Sequence, residues 1–249
     1  MSSWVGIGRS DIGLARSSNQ DAFVTLDHLG FWAVADGMGG HVGGDIAAQT
    51  AIATVKARVE LFAGPLQQGH GQPADFLTDL VVQAHDAIQG RAKLEAKLKG
   101  MGTTIVMIVI LPTPTPTAHV AHVGDSRAYR FRANILTPLT RDHTLIEKYM
   151  ARGILTEALA RTHPERHVLT RALGVLSPVK PDLASYPLEL QDLLILCSDG
   201  LTKMLEDHDI QELLMRAKGD PIRACDLLIS ESLARGGEDN VTVIAIAHP

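Results

Sequence analysis

Cysteine is scarce in this chain of 249 residues, which contains only Cys197 and Cys225. Two cysteines cannot build a disulfide scaffold or a four-thiolate metal site. We therefore expect both to be small buried hydrophobic residues in a protein of a reducing compartment.

An excess of positive charge is also missing, because 23 Lys and Arg residues face 28 Asp and Glu residues and the net charge is −5. Nucleic-acid and anionic-membrane binders need a basic surplus, so we expect neither partner. The most apolar stretch, residues 105–111, is far too short to span a bilayer. Residues 1–13 lack the basic start and apolar run of a signal peptide. The sequence therefore predicts a cytoplasmic protein without a membrane span.

Apolar residues make up 45% of the chain and follow two kinds of pattern. Strand-like runs occupy residues 22–26, 31–35, 104–111, 118–123, 128–131, 193–197 and 241–247. Helical stripes occupy residues 48–59, 77–88, 210–214 and 222–229. This order is not the regular strand–helix alternation of a parallel sheet. It predicts an α+β fold, with two mostly antiparallel sheets packed together and a helix pair on each outer face, in a single domain over residues 1–249.

Four aspartates stand where predicted strands begin or end, and three of them adjoin a glycine: Asp36, Asp125, Asp199 and Asp239. Such carboxylates would repel one another strongly at one sheet edge unless cations lay between them. Ligands that are all oxygen suit magnesium or manganese rather than zinc. A single Asp-Gly pair is usually only a turn. The metal site is indicated by the repetition of such aspartates and by the glycine-rich residues 36–41.

Eight short motifs follow one another along the chain: RSSNQD (16–21), ADGMGGH (35–41), GTT (102–104), HVGDSR (122–127), LTRDH (139–143), LTRALG (169–174), SDGL (198–201) and EDNVT (238–242). Together they resemble the signature set of bacterial metal-dependent serine/threonine protein phosphatases, the phosphatase 2C-like (PPM) family. The resemblance implies a four-layer α/β/β/α sandwich, which agrees with the layers expected above. It also implies hydrolysis of phosphoserine and phosphothreonine on proteins, with an opposing serine/threonine kinase as a further partner.

The same resemblance implies a centre of two manganese or magnesium ions and, at most, a weakly held third. Asp36 would bridge the two ions, and the carbonyl of Gly37 would bind the first. Asp199 and Asp239 would bind the second ion, and Asp125 would help to hold the weaker third.

Three further residues have roles only by this resemblance. Asp21 would order metal-bound water, and the planar guanidinium of Arg16 would bind two phosphate oxygens. His41 could protonate the leaving oxygen, because an imidazole titrates in the useful range. A loop histidine that only forms hydrogen bonds is the commoner alternative for His41.

Two positions depart from the family pattern. Gln20 replaces a frequent glutamate, which we expect to leave the two-ion centre intact. Lys203 stands where relatives usually carry an aspartate associated with the third ion, so its ammonium should weaken that site. By position, residues 144–168 resemble the family's mobile flap beside the active site, and His163 and Arg166 are candidates there for contact with the substrate. An ordinary surface loop explains the same segment equally well.

Two other functions are compatible with parts of this pattern. A pseudophosphatase that binds phosphopeptides without cleaving them would need no complete metal site, whereas all the metal-site aspartates and Arg16 are present here. A phosphatase with an aspartyl nucleophile would need an Asp-x-Asp pair at a strand end, which residues 36–38 and 199–201 lack.

Overall fold

The structure, a computed structural model, describes residues 4–38, 43–111, 113, 115–161, 163–175 and 178–248. Its strands are β1 (Val5–Asp11), β2 (Asp21–Leu26), β3 (Phe31–Met38), β4 (Gly102–Thr103), β5 (Ile105–Ile110), β6 (Thr117–Val123), β7 (Arg127–Arg132), β8 (Ile135–Pro138), β9 (Asp182–Pro187), β10 (Leu193–Cys197) and β11 (Val241–Ala247). Its helices are α1 (Gly44–Gln67), α2 (Pro73–Leu94), α3 (Leu145–Ala151), α4 (Glu157–Arg161), α5 (Asp199–Thr202), α6 (Asp207–Ala217) and α7 (Pro221–Ala234).

The strands form two antiparallel sheets. The first has the order β1-β11-β10-β7-β8, so the two ends of the described chain lie side by side. The second has the order β2-β3-β5-β6-β9, and the short β4 pairs with the end of β3. The predicted antiparallel sheets are therefore confirmed.

The space between the sheets is filled by apolar side chains from both: Trp32, Val34, Val106, Ile108, Leu194, Leu196, Ile244 and Ile246. Strand β1 at the edge was not predicted, because Gly6 and Gly8 weaken its apolar pattern. These glycines leave room for aromatic rings of the other sheet. A Cβ at Gly6 would lie 2.1 Å from Trp32 Nε1, and one at Gly8 would lie 2.2 Å from the Phe23 ring.

Helix pairs cover the outer faces of both sheets. The buried stripe of α1, which includes Ala48, Ala51 and Val55, packs with α2 on the second sheet. Helices α6 and α7 cover the first sheet in the same way. Asp220 caps the N-terminus of α7, since its side chain accepts a hydrogen bond from the backbone N–H of Ile222 at 2.9 Å. The four-layer α/β/β/α arrangement is thus the one expected.

The segment between β8 and β9 contains the short helices α3 and α4. The chain alternates Pro and Thr over residues 112–117, between the end of β5 and the start of β6, and residues 112 and 114 lie outside the described residues. None of the described helices is both long enough and apolar enough to cross a membrane.

Candidate active site

The two sheets bring five aspartates together at one edge of the sandwich. Asp36 lies on β3 directly opposite Asp21 of β2. Asp125 follows β6, Asp199 begins the helix after β10, and Asp239 precedes β11. The negative charges of Asp199, Asp21 and Asp125 all act on Asp36, so residues from distant parts of the chain share one site.

Burial and mutual repulsion make this group of carboxylates costly to ionise without cations. Burial, together with the charges of Asp199 and Asp21, raises the pKa of Asp36 well above its ordinary value. Burial and the charge of Asp199 raise the pKa of Asp125 to about 8. Burial raises the pKa of Asp21 to about 6, although hydrogen bonds from two hydroxyl groups act in the opposite direction.

Two of these carboxylates each present a buried oxygen to the site. Asp21 Oδ2 accepts hydrogen bonds from Ser198 Oγ and Thr242 Oγ1, each at 2.7 Å. Asp21 Oδ1 and Asp199 Oδ1, in contrast, are buried without a hydrogen-bond partner among the described residues. Buried oxygens of this kind are costly unless a water or an ion satisfies them. The donor set therefore fits hard divalent cations.

Two cationic side chains already cover Asp239. The guanidinium of Arg16 contacts it with Nε at 2.8 Å from Oδ1 and Nη2 at 2.9 Å from Oδ2. Lys203 Nζ lies 2.7 Å from Asp239 Oδ2 and 2.7 Å from Asp199 Oδ2. Burial alone would raise the pKa of Asp239, but Lys203 and Arg16 hold it below its ordinary range. The sequence did not indicate that Arg16 pairs with Asp239 or that Lys203 joins two of the aspartates.

The backbone around Asp36 is fixed by two neighbouring segments. The Asp36 N–H donates to Thr104 Oγ1 at 3.0 Å, and the Thr104 N–H donates back to the Asp36 carbonyl at 2.9 Å. Gly37 donates its N–H to the Gln20 carbonyl at 3.1 Å. His41 lies outside the described residues, so its proposed part in catalysis remains a prediction.

Asn240 is a site residue whose role the sequence did not reveal. Its Oδ1 accepts from the Gln20 N–H at 2.8 Å, and its Nδ2 donates to the carbonyls of Ile12 at 2.8 Å and Ser18 at 2.9 Å. These bonds fasten the loop that carries Arg16 to the start of β11. The position of Asn240 beside Asp239 in the EDNVT motif was the only signal available.

A second cluster of possible ligand atoms lies apart from the five aspartates. Among the described residues, His122, His143 and Asp182 bring three such atoms within 4.8 Å of one another. The two imidazoles are stacked, with ring centroids 4.4 Å apart, so their lone pairs do not converge. Arg171 Nη1 already forms an ion pair with Asp182 Oδ1. We interpret this group as a hydrogen-bonded network.

His143 has the central place in this network. The Gly124 N–H donates to His143 Nδ1 at 3.1 Å, so Nε2 carries the proton and faces Asp182 Oδ2 at 3.1 Å. Burial and the neighbouring His122 lower the pKa of His143 to about 4, which keeps it neutral. The network therefore holds the turn that presents Asp125.

A cavity of about 660 Å³ adjoins the aspartates. Asp125, Asp199 and Lys203 line one part of it, and Arg166 and His167 of the flap-like segment line another. Arg127 also lines the cavity, where its Nε and Nη2 each donate to Asp142 at 2.8 Å. Of the two flap candidates, Arg166 faces this cavity, whereas His163 is not among the described residues that line it. The cavity is large enough to admit a side chain of another protein.

Comparisons with known proteins agree with this geometry. Residues 8–226 match the family model described as protein phosphatase 2C. The chain is 33% identical to the serine/threonine phosphatase stp of Listeria monocytogenes, over 96% of this chain and 93% of that protein. The crystal structure of the Mycobacterium tuberculosis serine/threonine phosphatase PstP/Ppp superposes with a TM-score of 0.87, at 33% identity and 98% coverage of both chains.

A further solved structure is that of the PstP catalytic domain in complex with two manganese ions. It superposes with a TM-score of 0.84 at 32% identity, covering 98% of this chain and 97% of that one. The fold, the ordered motifs and these similarities agree, and the resemblance found in the sequence is confirmed. The chain belongs to the protein phosphatase 2C family.

Proposed function

We propose that this protein hydrolyses phosphoserine and phosphothreonine on other proteins at a centre of two manganese or magnesium ions. The observation that carries the proposal is the convergence of five aspartates beside a cavity, with two buried carboxylate oxygens that have no hydrogen-bond partner among the residues the structure describes. The name of its Listeria relative and the manganese ions of the PstP structure support it.

The family resemblance assigns the ligands, and the convergence of the aspartates supports the assignment. Asp36, whose charge interacts with the other aspartates, would bridge the two ions, and the Gly37 carbonyl would bind the first. Asp199 and Asp239 would bind the second ion, and Asp125 would help to hold a third at most weakly. Bound ions would supply a water of lowered pKa as the nucleophile and positive charge for the transferring phosphoryl group.

The other side chains would position the water and the substrate. Asp21 uses Oδ2 for two hydroxyl donors, which leaves Oδ1 free to accept a hydrogen bond from a water. The side chain of Arg16 is 45% exposed, and its guanidinium can bind phosphate oxygens in a fork. His41 would donate a proton to the leaving seryl or threonyl oxygen. Arg166 would contact the substrate protein from the flap side of the cavity.

The partners would be phosphorylated proteins and the serine/threonine kinase that modifies them. Nucleic acid is not an expected partner, because the net charge is −5. Two buried free cysteines are typical of a protein that works in the reducing cytoplasm.

The Asp36→Asn variant tests this proposal. With manganese and a phosphothreonine peptide, we expect at least a thousandfold loss of kcat/KM, because the bridging charge is removed. The variant should remain folded, since repulsion within a buried acidic group also decreases. The matched control is Asp86→Asn on the exposed face of α2, which should keep full activity. Manganese-dependent turnover by Asp36→Asn close to that of the wild type would refute the assignment, and a wild type without turnover would favour the pseudophosphatase.

A further inference from the structure

Lys203 lies between two acidic side chains of the proposed metal centre. Its Nζ is 2.7 Å from Asp199 Oδ2 and 2.7 Å from Asp239 Oδ2. Lys203 follows the short helix α5 four residues after Asp199, so one helical turn brings the two side chains together. The Lys203 side chain is only 22% exposed, which means that the ammonium is held in the site and does not extend into solvent.

Few carboxylate oxygens of Asp199 and Asp239 are left for another cation. Both oxygens of Asp239 are engaged, since Arg16 contacts each of them and the Asn240 N–H donates to Oδ1 at 2.9 Å. On Asp199, Oδ2 accepts from Lys203, and Oδ1 is the buried oxygen for which the described part of the chain offers no partner. A divalent ion that uses both carboxylates must therefore displace a cationic side chain from Asp239, and at Oδ2 of either carboxylate it displaces Lys203.

Electrostatics makes joint occupancy unfavourable. A magnesium ion lies about 2.0–2.1 Å from its ligand oxygens, so an ion and an ammonium that share the same oxygens would be only a few ångströms apart. Two positive centres at that distance repel strongly in a partly buried site. The ion and the ammonium are thus alternative counter-charges for one pair of carboxylates.

We propose that Lys203 is an internal counter-cation that competes with the divalent ion for the Asp199–Asp239 pair, so that this chain binds its second ion weakly. The inference depends on the proposed function, because it assigns those two carboxylates to an ion. It differs from the expected effect on a third ion, since the contacts of Lys203 are with the pair assigned to the second. Loading of the second ion, and hence activity, would then follow the free concentration of divalent ion.

Direct binding of Mn²⁺ to the chelator-treated full chain, measured by isothermal titration calorimetry, tests the inference. The neutral variants Lys203→Met and Lys203→Gln should bind the weaker ion at least tenfold more tightly than the wild type. Lys203→Arg keeps the positive charge and should stay within about threefold of the wild type. Lys93→Met removes an exposed lysine from α2 and should change neither affinity.

Thermal unfolding gives a second readout that does not depend on activity. Without metal, the neutral variants should melt at a lower temperature than the wild type, because Asp199 and Asp239 lose a counter-charge. With saturating Mn²⁺ their melting temperature should rise more than that of the wild type. If a neutral variant unfolds once metal is removed, Mn²⁺ must restore its fold; failure to do so contradicts the inference.

The outcomes separate this inference from the proposed function. A wild type that binds no Mn²⁺ would remove the proposed function itself. If the wild type binds two ions, and both neutral variants bind the weaker ion no more tightly than the wild type does, only the proposed role of Lys203 is refuted.

Discussion

At the scale of single residues, Asp36 shows how neighbouring backbone holds a charged side chain in a costly position. Thr104 pairs with both the N–H and the carbonyl of Asp36, and Thr103 Oγ1 donates to the same carbonyl at 2.8 Å. These bonds fix the backbone position from which the carboxylate projects towards the other aspartates. This fixed repulsion makes the site ready to bind cations.

Gly37 is a residue at which any side chain should disrupt the site. A Cβ there would lie 2.1 Å from the Gly44 carbonyl oxygen at the start of α1. We expect Gly37→Ala to cost roughly 3 kcal/mol or more, or to prevent folding, in chemical denaturation. Gly64→Ala is the control, because a Cβ at Gly64 inside α1 would meet no atom of the described residues within 4 Å. It should stabilise the protein by about 0.5–1 kcal/mol, and equal stability of the two variants would contradict the packing argument.

Arg16 should act mainly on substrate binding. We expect Arg16→Ala to raise KM for a phosphothreonine peptide by at least roughly tenfold, since charge-assisted hydrogen bonds are worth about 1.5–3 kcal/mol. Arg16→Lys should be intermediate, because it keeps the charge and loses the fork. Arg9→Ala, at an exposed arginine of β1, should have no effect. Unchanged KM and kcat in Arg16→Ala would mean that Arg16 only pairs with Asp239.

The single-residue chemistry was only partly accessible from the sequence. The aspartates were indicated by their positions at the ends of predicted strands and by the order of the motifs that contain them. The pairing of Arg16 and Lys203 with Asp239 was not accessible, since Asp239 lies 223 residues from Arg16 and 36 from Lys203. Contacts of this kind depend on how the two sheets pack.

At the scale of elements, His143 joins the flap-like segment to the turn that carries Asp125. Its backbone N–H donates to the Gly124 carbonyl at 2.9 Å, and its carbonyl accepts from the Thr170 N–H at 2.7 Å. Thr144 and Leu169 form a bridge beside it. Both ends of the segment 144–168 are therefore fastened next to the turn that carries Asp125, so motion of the segment would be confined between them.

Because His143 is neutral in the folded protein, its contribution to the free energy of unfolding decreases as the pH falls. Its pKa falls to about 4 in the folded protein, below the ordinary 6.5. The unfolded chain therefore binds more protons between these values, and this contribution to stability is lost as pH falls from about 6.5 towards 4. Between pH 7 and pH 5 the contribution of His143 should decrease by about 2 kcal/mol.

The variant His143→Phe isolates this contribution. It keeps a ring against His122 but loses both imidazole hydrogen bonds, so we expect a cost of about 2–3 kcal/mol at pH 7. Urea denaturation at pH 7 and pH 5 should show a smaller pH dependence in His143→Phe than in the wild type. The exposed His70→Gln variant should retain the wild-type dependence. An undiminished dependence in His143→Phe would contradict the neutral buried state.

Elements with a regular pattern were predicted well. The stripes of α1, α2, α6 and α7 appeared at helical spacing, and the apolar runs of β3, β5, β10 and β11 appeared as strands. Strand β1 was missed because glycines interrupt its apolar pattern; these glycines leave room for aromatic rings of the opposite sheet. Strand β9 was missed because it has no fully buried residue: Ala184 and Tyr186 are only partly buried and alternate with exposed positions, which leaves a weak pattern in the sequence.

At the scale of the whole molecule, the site exists only where the two sheets meet. Asp36 and Asp21 come from the second sheet, and Asp199 and Asp239 adjoin strands of the first. Thr242 of the first sheet and Ser198, the residue after β10, donate to Asp21 of the second sheet, so the same contacts join the sheets and shape the site. Binding of divalent ions should therefore stabilise the fold as a whole.

Anomalous scattering from a crystal soaked in manganese is the most direct test of the proposed two-ion centre. We expect two manganese peaks, with the Asp36 carboxylate between them and with Asp199 and Asp239 as ligands of one. Peaks only at the group of His122, His143 and Asp182, or none among the five aspartates, would contradict the account.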